Sequence, residues 1–333
     1  MKKIINNPDQ FVDEMVEGIL LAHPDQVRTP GDDRRVLVRA DSPAPGRVGI
    51  VTGGGSGHLP LFKGYVGKGL CSGVAIGNVF SSPSVQQCVD AAKAVDGGAG
   101  VLFLYGNYGG DVFNFDLAVD LLELDGIETR TVLGCDDVAS QPKERAKDRR
   151  GVAGIFFAYK AAGAAAERGD SLDEVAAVAQ KVVDNTATMG VGLSPTILPT
   201  TGAASFDLPE GEMEIGIGIH GEPGIHRGPL GTADEIADQI LDSVIPDLGL
   251  SEGDRVAVLV NGLGATPLEE LYLLYRRTHQ RLEELGVVIE RRYIGEYATS
   301  LEMAGASISL LKVDDELLEL LDASAQSPFF REA

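Results

Sequence analysis

Val48-Gly49-Ile50-Val51-Thr52 runs without interruption into Gly53-Gly54-Gly55-Ser56-Gly57-His58. A short β-branched run ending in clustered glycines reads as a strand feeding a turn, where the backbone bends tightly or closely approaches a ligand. The pattern returns at Val101–Tyr105, which leads into Gly106-Asn107-Tyr108-Gly109-Gly110-Asp111. Short strands are also predicted at Arg35–Arg39 and Thr129–Leu133, and helical periodicity at Asn114–Leu124, Gly154–Arg168 and Ser171–Asn185. Asn7 caps an opening helix with Pro8 at its first position, and Ser171 with Glu174 forms a capping-box pattern. Strands alternating with helices imply an α/β fold with a largely parallel sheet and ligand loops beyond the strand ends.

The Gly-, Pro- and Thr-rich stretch Met189–Ala204 breaks this periodicity and marks the expected domain junction. Beyond it, strands are predicted at Glu214–Ile219, Arg255–Val260, Val287–Tyr293 and Ser307–Val313. Helices are predicted from Thr232 with Glu235 three residues on, from Thr266 as a cap ahead of Pro267 and Glu269, and at Asp314–Leu321. Two α/β domains are expected, residues 1–188 and 189–333, each a mostly parallel or mixed sheet flanked by helices.

A chain of 333 residues can bury a sizeable core without disulfides or structural metals. Its 50 acidic and 28 basic residues leave a net charge of -22. That argues against nucleic acid and anionic membrane as partners, because Lys and Arg supply most of the attraction to their phosphates. Cys71, Cys88 and Cys135 are widely spaced and form no CxxC pair, so reduced thiols in a cytoplasmic protein are expected. Met1-Lys2-Lys3 begins basic like a signal peptide, but Asp13, Glu14 and Glu17 interrupt the apolar stretch. No run approaches the ~20 apolar residues of a membrane span.

Neither glycine motif reads as a nucleotide site, and this chain is expected to bind no cofactor of its own. Gly53–Gly57 lacks the Gly-Lys-Ser/Thr ending that would reach outer phosphates. Gly216-Ile217-Gly218-Ile219-His220-Gly221 matches GxGxxG, yet Pro223 follows at once and no helix opens there. Of five histidines, His58 and His220 each follow a predicted strand in a glycine-rich loop, and Asp111 lies in a third such loop. One such residue would read as structural; three at strand-end loops point to an active site. Two histidines and an aspartate are a credible metal-ligand set, but they lack a ligand spacing such as i, i+4 on a helix. General base and nucleophile are the other roles open to them.

Taken together, Gly53–His58, Asn107-Tyr108 with Gly110-Asp111, and Gly218-Ile219-His220-Gly221-Glu222-Pro223-Gly224 resemble the K subunit of dihydroxyacetone kinase. The likeness extends to Val95–Gly98, Arg149–Ala153 and Ala164–Leu172 in the family's order, and His-Gly-Glu-Pro-Gly is its specific part. The resemblance implies a two-domain homodimer in which His220 attacks the substrate carbonyl to give a hemiaminal. It implies that His58 and Asp111 assist the hydroxyl that accepts phosphate, and that Gly55, Ser56 and Gly57 line the substrate. ATP or ADP with Mg2+ would belong to a separate L subunit, with a phosphotransfer protein as a possible upstream donor. The chemistry is sound: an imidazole nitrogen adds to a ketone carbon and not to an alcohol carbon, which sorts hydroxyketones from polyols. Capture also fixes the terminal hydroxyl, most of what phosphoryl transfer asks of an enzyme.

Three positions depart from the family's pattern. Leu59 stands between His58 and Pro60 where a glutamate is usual, and Asn78 replaces another glutamate. Gly106 borders the substrate where dihydroxyacetone-specific members carry a lysine that hydrogen-bonds the ligand. It reads either as a water in the lysine's place beside dihydroxyacetone, or as a roomier pocket for a four-carbon ketose such as erythrulose. A third reading follows from relatives that are dihydroxyacetone-sensing coactivators. Retention of His58, Asp111 and His220 together favours catalysis, since a sensor needs only the capture step.

Overall fold

The computed structural model describes residues 2–333. Strands β1 (Val27–Arg28), β2 (Val36–Arg39), β3 (Gly49–Ser56), β4 (Gly73–Val79), β5 (Val101–Gly106) and β6 (Thr129–Gly134) form one sheet in the order β1-β2-β4-β3-β5-β6. β4, β3, β5 and β6 are parallel, and β2 pairs antiparallel with both β1 and β4. Helices α2 (Val85–Val95) and α3 (Gly109–Leu124) cover one face. On the other lie α1 (Phe11–Ala22), α4 (Ile155–Arg168) and α5 (Leu172–Asp184).

A second sheet contains β7 (Thr186–Ser194), β8 (Glu212–Ile215), β9 (His226–Pro229), β10 (Arg255–Gly262), β11 (Val288–Gly295) and β12 (Ala304–Lys312), ordered β11-β10-β12-β7-β8-β9. Only β10 and β11 are parallel, so this sheet is mixed while the first is mostly parallel. Helices α6 (Ala233–Leu248) and α7 (Leu268–Glu284) cover its outer face. Its inner face meets α8 (Asp315–Asp322) and the α4 layer: one apolar cluster holds Leu37, Ile50 and Leu102 of the first sheet, α4, and Leu259 and Leu311 of the second. Every residue from Ile155 to Ala166 is buried, including Lys160, whose ammonium donates to the Ala323 carbonyl. A short hairpin of β13 (Ala325–Gln326) and β14 (Arg331–Glu332) closes the chain. No helix among the described residues is long and apolar enough to cross a membrane.

Several elements differ from expectation. The glycines after Thr52 make no turn; they are the last residues of β3. Close packing explains their composition, since a Cβ on Gly53 would lie 2.7 Å from the Phe115 ring and one on Gly55 2.7 Å from the Ser81 amide. β8 stops at Ile215 and not at Ile219, because Gly216 turns the chain with φ +79°. Pro267 is the N-cap of α7; the Thr266 hydroxyl is engaged with the backbone of Gly305, to which it donates and from which it accepts. Met189–Ser194 belongs to β7, so the periodicity breaks only after Ser194. β1, β4, β7, β9, the β13–β14 hairpin and α2 were not anticipated, although the Ser84/Gln87 capping box of α2 was there to be read.

Candidate active site

β3 and β5 are parallel neighbours whose C-terminal ends open on the same edge of the first sheet. His58 follows β3 after Gly57, and Gly106 ends β5. Asp111 was expected in a loop but sits in the first turn of α3, which begins at Gly109. The connection between β8 and β9 of the second sheet supplies His220.

His58 is buried, and its Nδ1 lies 2.7 Å from the Thr299 carbonyl oxygen. A carbonyl only accepts, so Nδ1 carries the hydrogen and Nε2 keeps its lone pair. That Nε2 has no hydrogen-bond partner in the protein. Burial above all, then the charge of His220, holds the imidazole well below its ordinary pKa against the opposing pull of the Thr299 carbonyl. The segment between β11 and β12 fixes the turn. Leu301 N–H donates to the Gly57 carbonyl at 2.7 Å, and the Thr299 hydroxyl donates to the Leu59 carbonyl at 3.0 Å.

The His220 turn folds the Glu222 carboxylate back on the histidine. Glu222 Oε1 lies 2.8 Å from His220 Nδ1, and Oε2 accepts the His220 backbone N–H at 2.9 Å. Arg150, itself paired with Asp137 at 2.8 Å, stands 3.9 Å from the same carboxylate. Burial pushes the Glu222 carboxyl up, but the hydrogen bond and charge of His220, with Arg150, outweigh it and hold the group at about 2. The ionised carboxylate makes Nδ1 the donor, which leaves His220 Nε2 free as a nucleophile. Gly218 permits this fold-back, since a Cβ there would meet Arg150 Nη1 at 2.6 Å and strike the Glu222 carboxylate.

The two imidazoles meet edge to face with ring centroids 4.8 Å apart. Phe80 stacks on His58 at 5.0 Å and turns its edge to His220 at 5.1 Å; Tyr108 flanks His220 at 4.8 Å. Asp111 is buried and feels the charge of His220. Burial raises its carboxyl to about 6 against a Ser82 hydrogen bond, and its Oδ1 has no partner. The buried Tyr108 hydroxyl is likewise unpartnered, and burial keeps it protonated.

The remaining predicted residues are packed against their neighbours. Gly57, at φ +108°, lies against Phe80, whose ring would be 2.7 Å from an added Cβ. The buried Ser56 hydroxyl donates to the Gly77 carbonyl at 2.9 Å, bracing β3 on β4. A Cβ on Gly106 would lie 3.2 Å from the Tyr108 ring. Glu222, Phe80, Tyr108 and Thr299 were missed by sequence reasoning. Glu222 carried a signal, an acid two residues after a loop histidine; Thr299 carried none, because it acts through its carbonyl from a distant segment. Among the described residues, no three His, Cys, Asp or Glu side chains come together as metal ligands.

Residues 17–329 match the Dak1 domain, and the chain belongs to that family. It is 46% identical over 331 residues to the PTS-dependent dihydroxyacetone kinase 2, dihydroxyacetone-binding subunit DhaK, of Listeria innocua serovar 6a, covering 99% of each chain. Identity to the L-erythrulose kinase of Pectobacterium atrosepticum is 43% over 336 residues, covering 99% of this chain and 56% of that longer protein. The solved dihydroxyacetone kinase operon co-activator Dha-DhaQ superposes with a TM-score of 0.87 at 32% identity, covering 94% of this chain and 96% of its own.

Proposed function

We propose that this chain is the substrate-binding subunit of a dihydroxyacetone-type ketose kinase. It holds a short hydroxyketone on His220 as a hemiaminal while a separate nucleotide-binding L subunit delivers the phosphoryl group. The supporting observation is the pair of adjacent histidines, each with Nδ1 engaged as a donor and Nε2 unspent. One is backed by a carboxylate and the other by a carbonyl. His220 Nε2 attacks the ketone carbon, the C=O π pair moves to oxygen, and the imidazole gains positive charge beside Glu222. The imidazole keeps its Nδ1 hydrogen toward Glu222, and the new oxygen takes its proton from solvent. His58 Nε2, or the Asp111 carboxylate, then accepts the proton of the terminal hydroxyl as phosphate arrives. Gly55, Ser56, Gly57 and Gly106 form the wall around the ketose.

On this proposal ATP or ADP with Mg2+ resides on the L subunit, which a phosphotransfer protein can recharge. The chain acts as a cytoplasmic homodimer, with His58 and Asp111 in residues 1–188 and His220 in 189–333. A sensor would need capture alone; the unspent base at His58 favours catalysis. A second substrate reading, erythrulose, is supported by an L-erythrulose kinase among the similar proteins; the Tyr108 ring, 3.2 Å from where a Gly106 Cβ would lie, takes the space beside that glycine.

The test is intact-protein mass spectrometry after incubation with dihydroxyacetone or either erythrulose enantiomer. One ketose mass is expected on the native protein and none on His220→Ala. An adduct that survives without His220 refutes the capture mechanism.

A further inference from the structure

Asn261, next to the last residue of β10, is fully buried, and its carboxamide uses both acceptor and both donor positions. Oδ1 accepts the backbone N–H groups of Tyr297 and Ala298, each at 2.8 Å. Nδ2 donates to the Ala298 carbonyl at 2.8 Å and to the Ser307 hydroxyl at 3.2 Å. The contacts with Tyr297 and Ala298 hold main chain of the segment between β11 and β12. The contact with Ser307, on β12, fixes the amide itself. Just beyond, the Ser300 N–H donates to the Leu263 carbonyl at 2.9 Å, so the end of β10 grips this segment on both sides of Thr299.

Thr299 in turn faces the His58 turn. Its carbonyl receives the His58 Nδ1 hydrogen at 2.7 Å, its N–H donates to the His58 carbonyl at 3.3 Å, and its hydroxyl donates to the Leu59 carbonyl. A backbone carbonyl can select a tautomer only if the backbone is held in place. Without Asn261, buried main-chain groups of Tyr297 and Ala298 would be left unpaired one residue from that carbonyl, and the segment would shift to satisfy them. We propose that Asn261 is a positioning residue for the base: by fixing Tyr297 and Ala298 it aims the Thr299 carbonyl at His58 Nδ1, which keeps the Nε2 lone pair turned toward the ketose hydroxyl. The kinetic consequence rests on the ketose-kinase reading, whereas the tautomer of His58 is a property of this chain alone.

Two variants test it. Asn261→Ala removes the clamp, and Asn261→Asp keeps both acceptors but loses the donations from Nδ2. Nitrogen-15 NMR of histidine-labelled protein reads the tautomer, with the His58 signals identified by their loss in His58→Gln. The native protein should show His58 with its hydrogen on Nδ1, Asn261→Ala a mixture of both tautomers, and Asn261→Asp a smaller change. With the complete kinase, kcat of Asn261→Ala should fall at least about tenfold while KM stays within about twofold. The ketose mass on His220 should persist, and Asn261→Asp should recover part of the rate. A native His58 with its hydrogen on Nε2 overturns the proposal, as does either readout unchanged in folded Asn261→Ala. Loss of the ketose adduct in step with kcat, or failure of both variants to fold, makes Asn261 structural and overturns it too. If the native protein shows no ketose phosphorylation, the kinase reading has failed, and the tautomer still decides the role of Asn261.

Discussion

Replacing Glu222 by Gln keeps the size of the side chain and one acceptor for His220 Nδ1, and removes the charge together with the acceptor of the His220 backbone N–H. In the folded protein the carboxyl is held at about 2 from an ordinary 4.5. That displacement corresponds to roughly 3 kcal/mol; partial exposure trims it to ~1–3 kcal/mol. Because the folded value lies below the unfolded one, this stability is present above about pH 4.5 and is lost as pH falls toward about 2. Glu222→Gln should therefore unfold at lower urea at pH 7, and the gap to the native protein should narrow as the pH drops through that window. The same charge supports the imidazole as it becomes positive in the ketose adduct, so calorimetric affinity for dihydroxyacetone should fall roughly 10–100-fold. A folded Glu222→Gln protein that captures the ketose as well as the native one would show that the carboxylate only props the loop, and the reasoning would fail.

Two further outcomes follow from the site. His58→Gln should keep the ketose adduct mass while phosphorylation, measured with the complete kinase, drops by roughly 10²–10⁴, the contribution expected of a positioned base. Asp111→Asn should stabilise the protein at pH 7 by ~1–3 kcal/mol, because the native carboxyl is raised from 3.8 to about 6 by burial. The native protein should lose stability relative to this variant as pH rises from about 4 to about 6, seen by urea unfolding, and match it below.

Much of the fold was legible because strand and helix periods differ and because capping residues announce themselves. Ser171 with Glu174 and Thr232 with Glu235 both form the boxes that their spacing predicted. Two of the misreadings share one cause, which is that a glycine is ambiguous. Gly53 and Gly55 lack side chains because neighbours press on an extended strand, whereas Gly216 lacks one because the chain turns. Sequence alone weighs these equally. At the site, His58, Asp111 and His220 stood out as ionisable residues among glycines. The groups that set their protonation did not, since a tautomer fixed by the Thr299 carbonyl depends on a backbone atom. The mixed character of the second sheet was among the expectations, but β9 itself went unread because it is short and mostly exposed.

Helix α4 has no solvent side: the two sheets share it as a common filling. One histidine hangs from each sheet, and the His58 turn is bonded directly to the segment between β11 and β12 through the Gly57 and Thr299 carbonyls. Neither half has a finished interior alone, and they must assemble as one cooperative unit. On the proposed mechanism, the spacing of the two histidines rests on a core that both sheets share, and volume changes in α4, far from any ketose, should alter it.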